Sequence, residues 1–201
     1  MKSSDTYLSI ETESQSSLRD KASRFLGFAC PVTNEEEVKS VLERLKKEYY
    51  SANHHCYAYR LGHPDADVYR INDDGEPSGS AGRPIYGQIL SKGLSDLIVV
   101  VVRYFGGTKL GIPGLIHAYK SAASDTLDQN RIITKVITSQ ICVTFPVLQM
   151  NEVMRILKQE EAEIHSQDYN EQYSIRFSIR KSKQDLVQSK LSSLANIFTY
   201  E

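Results

Sequence analysis

The chain lacks long hydrophobic runs, a strong net charge and a dense set of cysteines. Its longest aliphatic run, Leu97 to Val102, is too short to cross a bilayer. The formal net charge is −1 over 201 residues, so no global attraction to nucleic acid is expected. The three cysteines, Cys30, Cys56 and Cys142, form no CxxC pair, which fits a reducing compartment better than a disulfide scaffold. With no apolar signal-peptide core either, the sequence predicts a cytoplasmic protein without membrane contact.

The most informative segment present runs from Leu97 to Lys120. Its aliphatic run is typical of a strand buried on both faces. Arg103, the pair Gly106-Gly107 and Lys109 follow, and Pro113 stands where a helix can begin. A strand, a glycine-rich loop and a helix N-terminus bring backbone N–H groups and both cations to one edge of the fold. This geometry suits an anion or a partner surface.

The remaining pattern predicts two domains, 1–135 and 138–201. In the first, Thr33 to Glu36 indicate a capped helix, and residues 72–82 are turn-forming. Its other predicted elements are strands at 7–10, 22–30, 54–61 and 68–71 and helices beginning near Pro84 and Pro113.

The second domain follows a β-α-β-β-α-β order, the ferredoxin-like arrangement. One sheet face is expected to pack on the helices, with the methionine and aromatic side chains in the core. The other face is polar and open; it offers Arg176 and Arg180 but no row of exposed aromatic residues. Ser182 with Asp185 is expected to cap the last helix.

Charge is distributed unevenly along the first domain. Residues 63–77 have a net charge of −4, and residues 83–135 have a net charge of +4. The acidic segment contains Asp65, Asp67, Asp73, Asp74, Glu76 and one cation, Arg70. Either the two segments form separate solvated surfaces, or an acidic and a basic loop face one cleft.

Three motifs, in order, resemble the Impact/YigZ family. They are His54-His55-Cys56, the segment from Asp73 to Gly82 and the segment from Val101 to Gly111. The resemblance extends from about Ser23 to the C-terminus. Many members have Gly-Thr-Gly-Gly after the glycine loop, whereas this chain has Gly111-Ile112-Pro113-Gly114, which makes the loop stiffer.

The resemblance implies an α+β fold. The N-terminal domain would be similar to the second domain of a small-subunit ribosomal protein, shared with domain IV of elongation factor G. The C-terminal domain would be similar to the ferredoxin-like domain V of that factor. Eukaryotic Impact proteins regulate translation by competing for an activator of a stress-response kinase. They use an extra N-terminal module that this sequence lacks, so that partner is not carried over.

The run His54-His55-Cys56 suggests a metal site or a Cys–His pair. In a strand, His54 and Cys56 share one face and His55 points to the other. Only two ligands would converge, whereas zinc takes three or four. A cysteine nucleophile also needs a base and an oxyanion hole, which the sequence does not reveal. We therefore expect ordinary strand residues, no metal and no catalytic residue.

Neither loop matches a known cofactor motif. Asp73 to Pro77 lacks the EF-hand spacing and predicts a tight turn, with recognition favoured over catalysis if it is functional. Ile112 follows Gly111 where a Walker A loop has lysine, and GxGxxG is absent. The glycine loop either permits a sharp turn or, with Arg103 and Lys109, holds an RNA phosphate. No cofactor is expected.

The local charge pattern and the glycine-rich turns, together with the family resemblance, favour a non-enzymatic cytosolic regulator linked to translation, which binds structured RNA or a ribosome-associated protein. One alternative is a hydrolase or transferase acting on a small phosphorylated or peptide-like substrate in the same cleft. Another is a protein-interaction module using the polar face of the second domain. The oligomeric state stays open. The binding candidates are His54, His55, Asp73, Asp74, Glu76, Arg103, Tyr104, Gly106, Gly107 and Lys109.

Overall fold

The computed structural model describes residues 5–63 and 68–200, which form two compact units. One unit is Tyr7–Lys135, and the other combines the residues up to Thr6 with those from Val136 onward. The predicted limits of 1–135 place Asp5 in the first domain. In the structure, the Asp5 carbonyl accepts a hydrogen bond from Ile137 N at 2.7 Å, and its carboxylate accepts one from Ser182 N at 2.9 Å. These bonds tie Asp5 to the second unit.

The first unit is built on a five-stranded sheet with the order β2-β3-β6-β4-β5, in which all neighbours are antiparallel. Its strands are β1 (Thr6–Ile10), β2 (Ser14–Asp20), β3 (Ser23–Pro31), β4 (His54–Leu61), β5 (Val68–Asn72), β6 (Leu97–Tyr104) and β7 (Ile132–Val136). Its helices are α1 (Glu35–Glu48), α2 (Gly82–Ser91) and α3 (Gly111–Asp128). Strands β1 and β7 pair separately in a two-stranded sheet.

Strand β6 lies at the centre of the sheet because its side chains are apolar on both faces. Val99 and Val101 pack into a core shared with α2 and α3, whereas Val100 and Val102 pack into a core shared with α1. All residues from Leu97 to Val102 are buried. The prediction of a strand buried on both faces is therefore confirmed.

Helix α1 begins with reciprocal hydrogen bonds between its first turn and the preceding residues. The Asn34 side chain accepts from Glu37 N at 2.9 Å, and the Glu37 carboxylate accepts from Thr33 N at 2.7 Å. The predicted cap is thus present, with Asn34 as the capping residue and Glu37 as its partner.

The second unit is a four-stranded antiparallel sheet with the order β11-β8-β10-β9 and two helices. Its elements are β8 (Thr138–Phe145), α4 (Met150–Gln159), β9 (Glu163–Tyr169), β10 (Tyr173–Arg180), α5 (Gln184–Leu191) and β11 (Asn196–Tyr200). This is the predicted ferredoxin-like order. The likeness to domains of a ribosomal protein and of elongation factor G stays a prediction.

The sheet of the second unit has an apolar and a mainly polar face, as expected. Phe145 and Phe177 are buried in the core, whereas Arg176 and Arg180 are exposed. The polar face also includes Phe198, which is 51% exposed and lies beside Cys142 and Arg176 in the strand register. The prediction that the aromatic side chains lie in the core is wrong for Phe198, because it lies on the polar face, and for Tyr169, which is 65% exposed.

Two other predictions differ from the structure. Strands β2 and β7 were not predicted. The polar sequence of β2 carries a weak strand signal, and this strand is held by pairing with β3. The sequence of β7 is rich in β-branched residues, but it lies at the predicted domain boundary and pairs with β1. The predicted Ser182 cap of α5 is wrong. Lys183 is the residue before α5 and makes no side-chain cap bond, while Ser182 bonds to Asp5 instead.

Within residues 5–63 and 68–200, every helix is too short or too polar to cross a membrane.

Helix α3 packs closely on β2 and β3 at Gly27. A Cβ atom at this position would lie 2.0 Å from Thr126 Oγ1 and 3.0 Å from the carbonyl oxygen of Ala122. Thr126 itself cannot move freely, because its hydroxyl lies 2.6 Å from Ser16 Oγ and donates to the Ala122 carbonyl at 2.6 Å. A glycine at this point lets the helix approach the sheet.

We expect Gly27→Ala to lower the free energy of unfolding by about 1–3 kcal/mol through overpacking. Adding Thr126→Ala, which removes the clashing oxygen, should restore part of the loss. Gly87→Ala on α2 is the control. It has open space around it and should be neutral or stabilising by about 0.5–1 kcal/mol. Urea unfolding of the variants measures these effects, and a Gly27→Ala protein as stable as the parent would contradict the packing explanation.

Candidate functional site

The candidate site forms where β3, β4 and β6 align at one end of the sheet. In the strand register, Arg103 of β6 lies between Phe25 of β3 and His54 of β4. The Arg103 guanidinium carbon lies 5.5 Å from the Phe25 ring centre and 5.4 Å from that of Phe105. Two aromatic rings therefore hold the guanidinium in place.

Arg103 is paired with Glu76 inside the protein. Its Nη1 donates to Glu76 Oε1 at 2.6 Å, and the two side chains are 6% and 4% exposed. Nη2 also lies 3.3 Å from Ser23 Oγ. The expectation that Arg103 offers a free charge to phosphate is therefore wrong, since a buried carboxylate already neutralises it.

A chain of polar contacts extends from Glu76 into the core. The Tyr119 hydroxyl donates to Glu76 Oε1 at 2.8 Å, and Cys56 Sγ lies 3.3 Å from that hydroxyl and donates to the Asp73 carbonyl at 3.0 Å. Burial raises the pKa of the Cys56 thiol well above its ordinary value, and the carboxylates of Glu76, Asp74 and Asp73 add to this effect. The thiol therefore stays protonated at neutral pH.

His54 has a defined orientation beside this carboxylate. Its Nδ1 lies 2.8 Å from the Asp74 carbonyl oxygen, and its Nε2 lies 3.8 Å from Glu76 Oε1. A carbonyl oxygen can only accept, so Nδ1 carries the hydrogen. In the neutral ring, Nε2 is consequently an acceptor directed toward the Glu76 side.

A cavity of about 410 Å³ lies over this arrangement, and we call it the glycine-loop pocket. Its lining combines an ionic floor with apolar walls. The lining residues are Asn53, His54, Glu76, Pro77, Arg103, Phe105, Lys109, Leu110, Gly111, Ile112 and Leu115. Four of the binding candidates therefore meet at one concavity: His54, Glu76, Arg103 and Lys109. Whether they bind a ligand stays a prediction.

Asp73 has an internal role. Its carboxylate accepts hydrogen bonds from the backbone N–H groups of Gly79, Ala81 and Gly82 at 2.8, 3.0 and 2.8 Å. Burial alone would raise the pKa of this carboxyl, but the hydrogen bonds outweigh burial and hold the pKa below its ordinary value. Asp73 thus closes the 73–82 loop and holds the first residue of α2.

Asp74 and His55 also help to hold the 73–82 loop in place. Asp74 Oδ2 accepts from His55 N at 2.6 Å. The His55 ring is buried on the other side of β4 from His54, and its Nε2 has no hydrogen bond to any described residue. Burial lowers the pKa of His55, although Asp74 opposes this shift. His55 therefore does not reach the pocket.

Packing and turn geometry explain the residue types at Tyr104, Gly106 and Gly107. Tyr104 alternates with Arg103 on β6 and packs toward the α1 core, away from the pocket. A Cβ on Gly106 would lie 1.8 Å from the Ala22 carbonyl oxygen, and Gly107 has a φ of +89°. Both positions need glycine for the turn itself.

The acidic and basic segments do meet, but through the Glu76–Arg103 pair and not across an open cleft. Asp65 and Asp67 lie outside the described residues. The available charge comes from Lys109, which the sequence analysis singled out, and from three cations that it did not. We define the basic end as Arg19, Lys21, Arg24 and Lys109.

The basic end lies where the β2–β3 turn meets the glycine loop, with Arg19 and Arg24 on the Tyr104 face of the sheet and Lys109 at the pocket. Arg19 pairs in register with Arg24, which pairs with Tyr104, and Gly106 packs on Ala22 in the same turn. The four side chains are exposed and make no ion pair with any described residue. Asp20 is the one carboxylate in residues 19–24. Recognising that β2 and β3 form a hairpin next to the glycine loop would have been needed to find this cluster.

Among the described residues, no group of three or more His, Cys, Asp or Glu side chains could hold a metal ion.

The fold and pocket define a two-unit α+β protein with a concave site at one sheet end. Residues 21–127, more than half of the chain, match the family described as the Impact N-terminal domain. The chain belongs to the Impact family, as its motifs predicted.

Relatives match most of the chain. It is 30% identical to the IMPACT family member YigZ of Escherichia coli (strain K12), over 87% of this chain and 86% of the relative. It is 35% identical to an IMPACT family member of Thermus thermophilus, over 79% of this chain and 83% of the relative. A crystal structure of a hypothetical protein has a TM-score of 0.76 at 27% identity and covers 98% of both chains.

We expect Arg103→Ala to lower the free energy of unfolding by about 3–5 kcal/mol, because Glu76 would remain buried without its partner. Lys109→Ala, on the adjacent exposed loop, should change stability by less than about 0.5 kcal/mol. Equilibrium urea unfolding at neutral pH compares the two. Equal stabilities of Arg103→Ala and Lys109→Ala would show that the buried Glu76 charge does not need Arg103 as its partner.

Asp73→Asn should destabilise the protein by about 1–3 kcal/mol at neutral pH through loss of charge-assisted hydrogen bonds. Because the pKa of Asp73 is lowered by folding, the ionised carboxyl stabilises the native state above the ordinary value of 3.8. This contribution is lost as pH falls through the folded-state pKa. The difference between parent and variant should therefore shrink below pH 4, as followed by thermal unfolding across pH.

The exposed Asp125→Asn variant is the control and should track the parent at all pH values. A pH-independent deficit in Asp73→Asn would rule out the charge as its cause.

Proposed function

We propose that this protein is a non-enzymatic cytosolic regulator of translation that binds structured RNA through the basic end. The observation that carries this proposal is the set of four exposed cations at this end of the sheet, which are free of ion pairs with described residues. One of them, Lys109, lines the glycine-loop pocket. Lysine and arginine contacts to phosphates supply most of the affinity of proteins for nucleic acids.

Family membership supports the link to translation. Eukaryotic Impact proteins regulate translation, as the motif resemblance implies, and membership of the family is consistent with such a role. The local charge at the basic end also explains how a chain with a net charge of −1 can attract a polyanion.

RNA is favoured over a ribosome-associated protein by the composition of this surface. Protein interfaces are depleted in lysine, enriched in arginine and centred on apolar side chains, and two of these four cations are lysines. At the sheet end, exposed apolar residues such as Phe105 and Ile112 belong to the pocket mouth, while the surrounding surface presents unpaired cations. A protein partner is retained as an outcome of the test.

The described residues of this site offer no activated protein nucleophile for the hydrolase or transferase alternative. Burial keeps the Cys56 thiol protonated, Asp73 is occupied by three backbone N–H groups, and Arg103 is neutralised by Glu76. These groups hold the structure together and leave no activated thiolate or free cation on the pocket floor.

We expect the chain to co-sediment with ribosomes and to bind protein-free ribosomal RNA with a strongly salt-dependent affinity. Each phosphate contact removed should reduce the slope of log K against log salt by about 0.9 for duplex regions. Lys109→Ala should lower that slope by one contact, and the combined Arg19→Ala, Lys21→Ala and Arg24→Ala variant by more. Fluorescence anisotropy over a KCl series measures the slopes.

Lys158→Ala is the matched control, because Lys158 is exposed on α4 and makes no ion pair with a described residue. Its slope should equal that of the parent. Binding to ribosomes without binding to protein-free RNA would assign the site to a ribosomal protein. Absence of both, or slopes unchanged in all variants, would overturn the proposal.

A further inference from the structure

The floor of the glycine-loop pocket contains a carboxylate oxygen that no described residue bonds. The donors of Arg103 and Tyr119 both bond to Glu76 Oε1. Oε2 has no hydrogen bond to any described residue, although the side chain is only 4% exposed and lines the pocket. Oε2 is therefore free to accept a hydrogen bond from a donor on a molecule that fills the pocket.

His54 places a second acceptor next to it. With the hydrogen on Nδ1 directed to Asp74, Nε2 of the neutral ring lies 3.8 Å from the same carboxylate. When the His54 ring is neutral, the floor thus presents two neighbouring acceptors, and an occupant should then carry two neighbouring donors. Among the nucleobases, guanine alone has two adjacent donors, N1–H and the 2-amino group, on one edge. Adenine and cytosine pair an amino group with a ring acceptor, and uracil places its N–H between two carbonyls.

The walls suit a flat heterocycle. Phe105, Leu110, Ile112 and Leu115 provide apolar surface, and Phe105 is 43% exposed. The volume of about 410 Å³ falls within the range of about 300–1,000 Å³ for small-molecule sites. Stacking of a base on an aromatic side chain is a recurrent mode of recognition for unpaired nucleotides.

The mouth suits a phosphate. Helix α3 begins there with no side-chain cap and no acidic residue in its first turn, and Gly111 and Ile112 line the pocket. Uncapped N–H groups and the positive end of the helix favour an anion, and Lys109 stands beside them. The floor therefore suits the hydrogen-bonding edge of a base, the walls suit its flat faces and the mouth suits a phosphate.

We propose that the glycine-loop pocket binds one guanine nucleotide, with the base on Glu76 and His54 and the phosphate at the start of α3. The inference rests on the proposed function where the nucleotide is an unpaired guanosine of the bound RNA. A free guanosine phosphate offers the same chemistry, and the experiment separates these two sources.

The first experiment titrates the full chain with GMP, IMP and AMP by calorimetry. IMP differs from GMP only by lacking the 2-amino group, so its affinity should be about tenfold lower. AMP should bind at least as weakly as IMP. The second experiment measures binding of a ribosomal RNA hairpin with one unpaired guanosine, and of the same hairpin with inosine at that position.

Ile112→Asp is the test variant. Ile112 is 53% exposed, and an acidic residue in the first turn of α3 should not disturb the helix. The new carboxylate should repel the phosphate and weaken binding on the order of tenfold. Ile116→Asp, one turn later and outside the pocket lining, is the control and should leave binding unchanged.

Glu76→Gln tests the floor directly, with thermal unfolding to verify that the variant is folded. It should abolish the preference for GMP over IMP. If it does not fold, the comparison of GMP with IMP and the Ile112 and Ile116 variants still decides the matter.

Selective GMP binding that is lost in Ile112→Asp supports a free nucleotide. Selectivity seen only between the guanosine and inosine hairpins supports a guanosine of RNA. Equal binding of all bases, or insensitivity to Ile112→Asp, overturns the pocket assignment. Salt-dependent RNA binding through the basic end would survive that result, so the two proposals fail separately.

Discussion

The buried ion pair between Glu76 and Arg103 organises the first unit. It connects residues 27 positions apart, and the Tyr119 hydroxyl extends the connection to α3, 43 positions beyond Glu76. Neither charge could remain in this environment without the other, because the penalty for an unpaired buried charge is several kcal/mol. The pair therefore fixes the loop after β5 against the end of β6, and the pocket floor is a product of this constraint.

This constraint separates two kinds of polar residue at the sheet end. Asp73, Asp74, Cys56 and Arg103 are engaged with one another or with backbone groups, and they maintain the shape of the site. Lys109 and the hairpin cations carry charge that the described part of the chain does not neutralise. The exposed cations are suited to binding a ligand, and the internally bonded residues of the pocket floor are suited to selecting which ligand binds.

Much of the fold could be predicted from the sequence, because β6 and β4 carry strong apolar signals and the second unit alternates clearly. The polar strand β2 could not, since its position depends on pairing with β3 and on α3. The same limit applied to the site. Arg103 was predicted to be an available cation because its partner lies 27 residues earlier. The cations of the β2–β3 hairpin could not be assigned to the site before that hairpin was known. Short-range patterns do not encode such long-range pairing.

The position of β6 has a consequence for synthesis of the chain. It lies between β3 and β4 in the sheet, yet it follows both in sequence. The β2–β3 and β4–β5 hairpins can form as they leave the ribosome, but each keeps an unpaired inner edge until residues 97–104 have emerged. Such edges are prone to pairing with other chains. During synthesis there is therefore an interval in which β3 and β4 can complete their pairing only when the central strand β6 emerges.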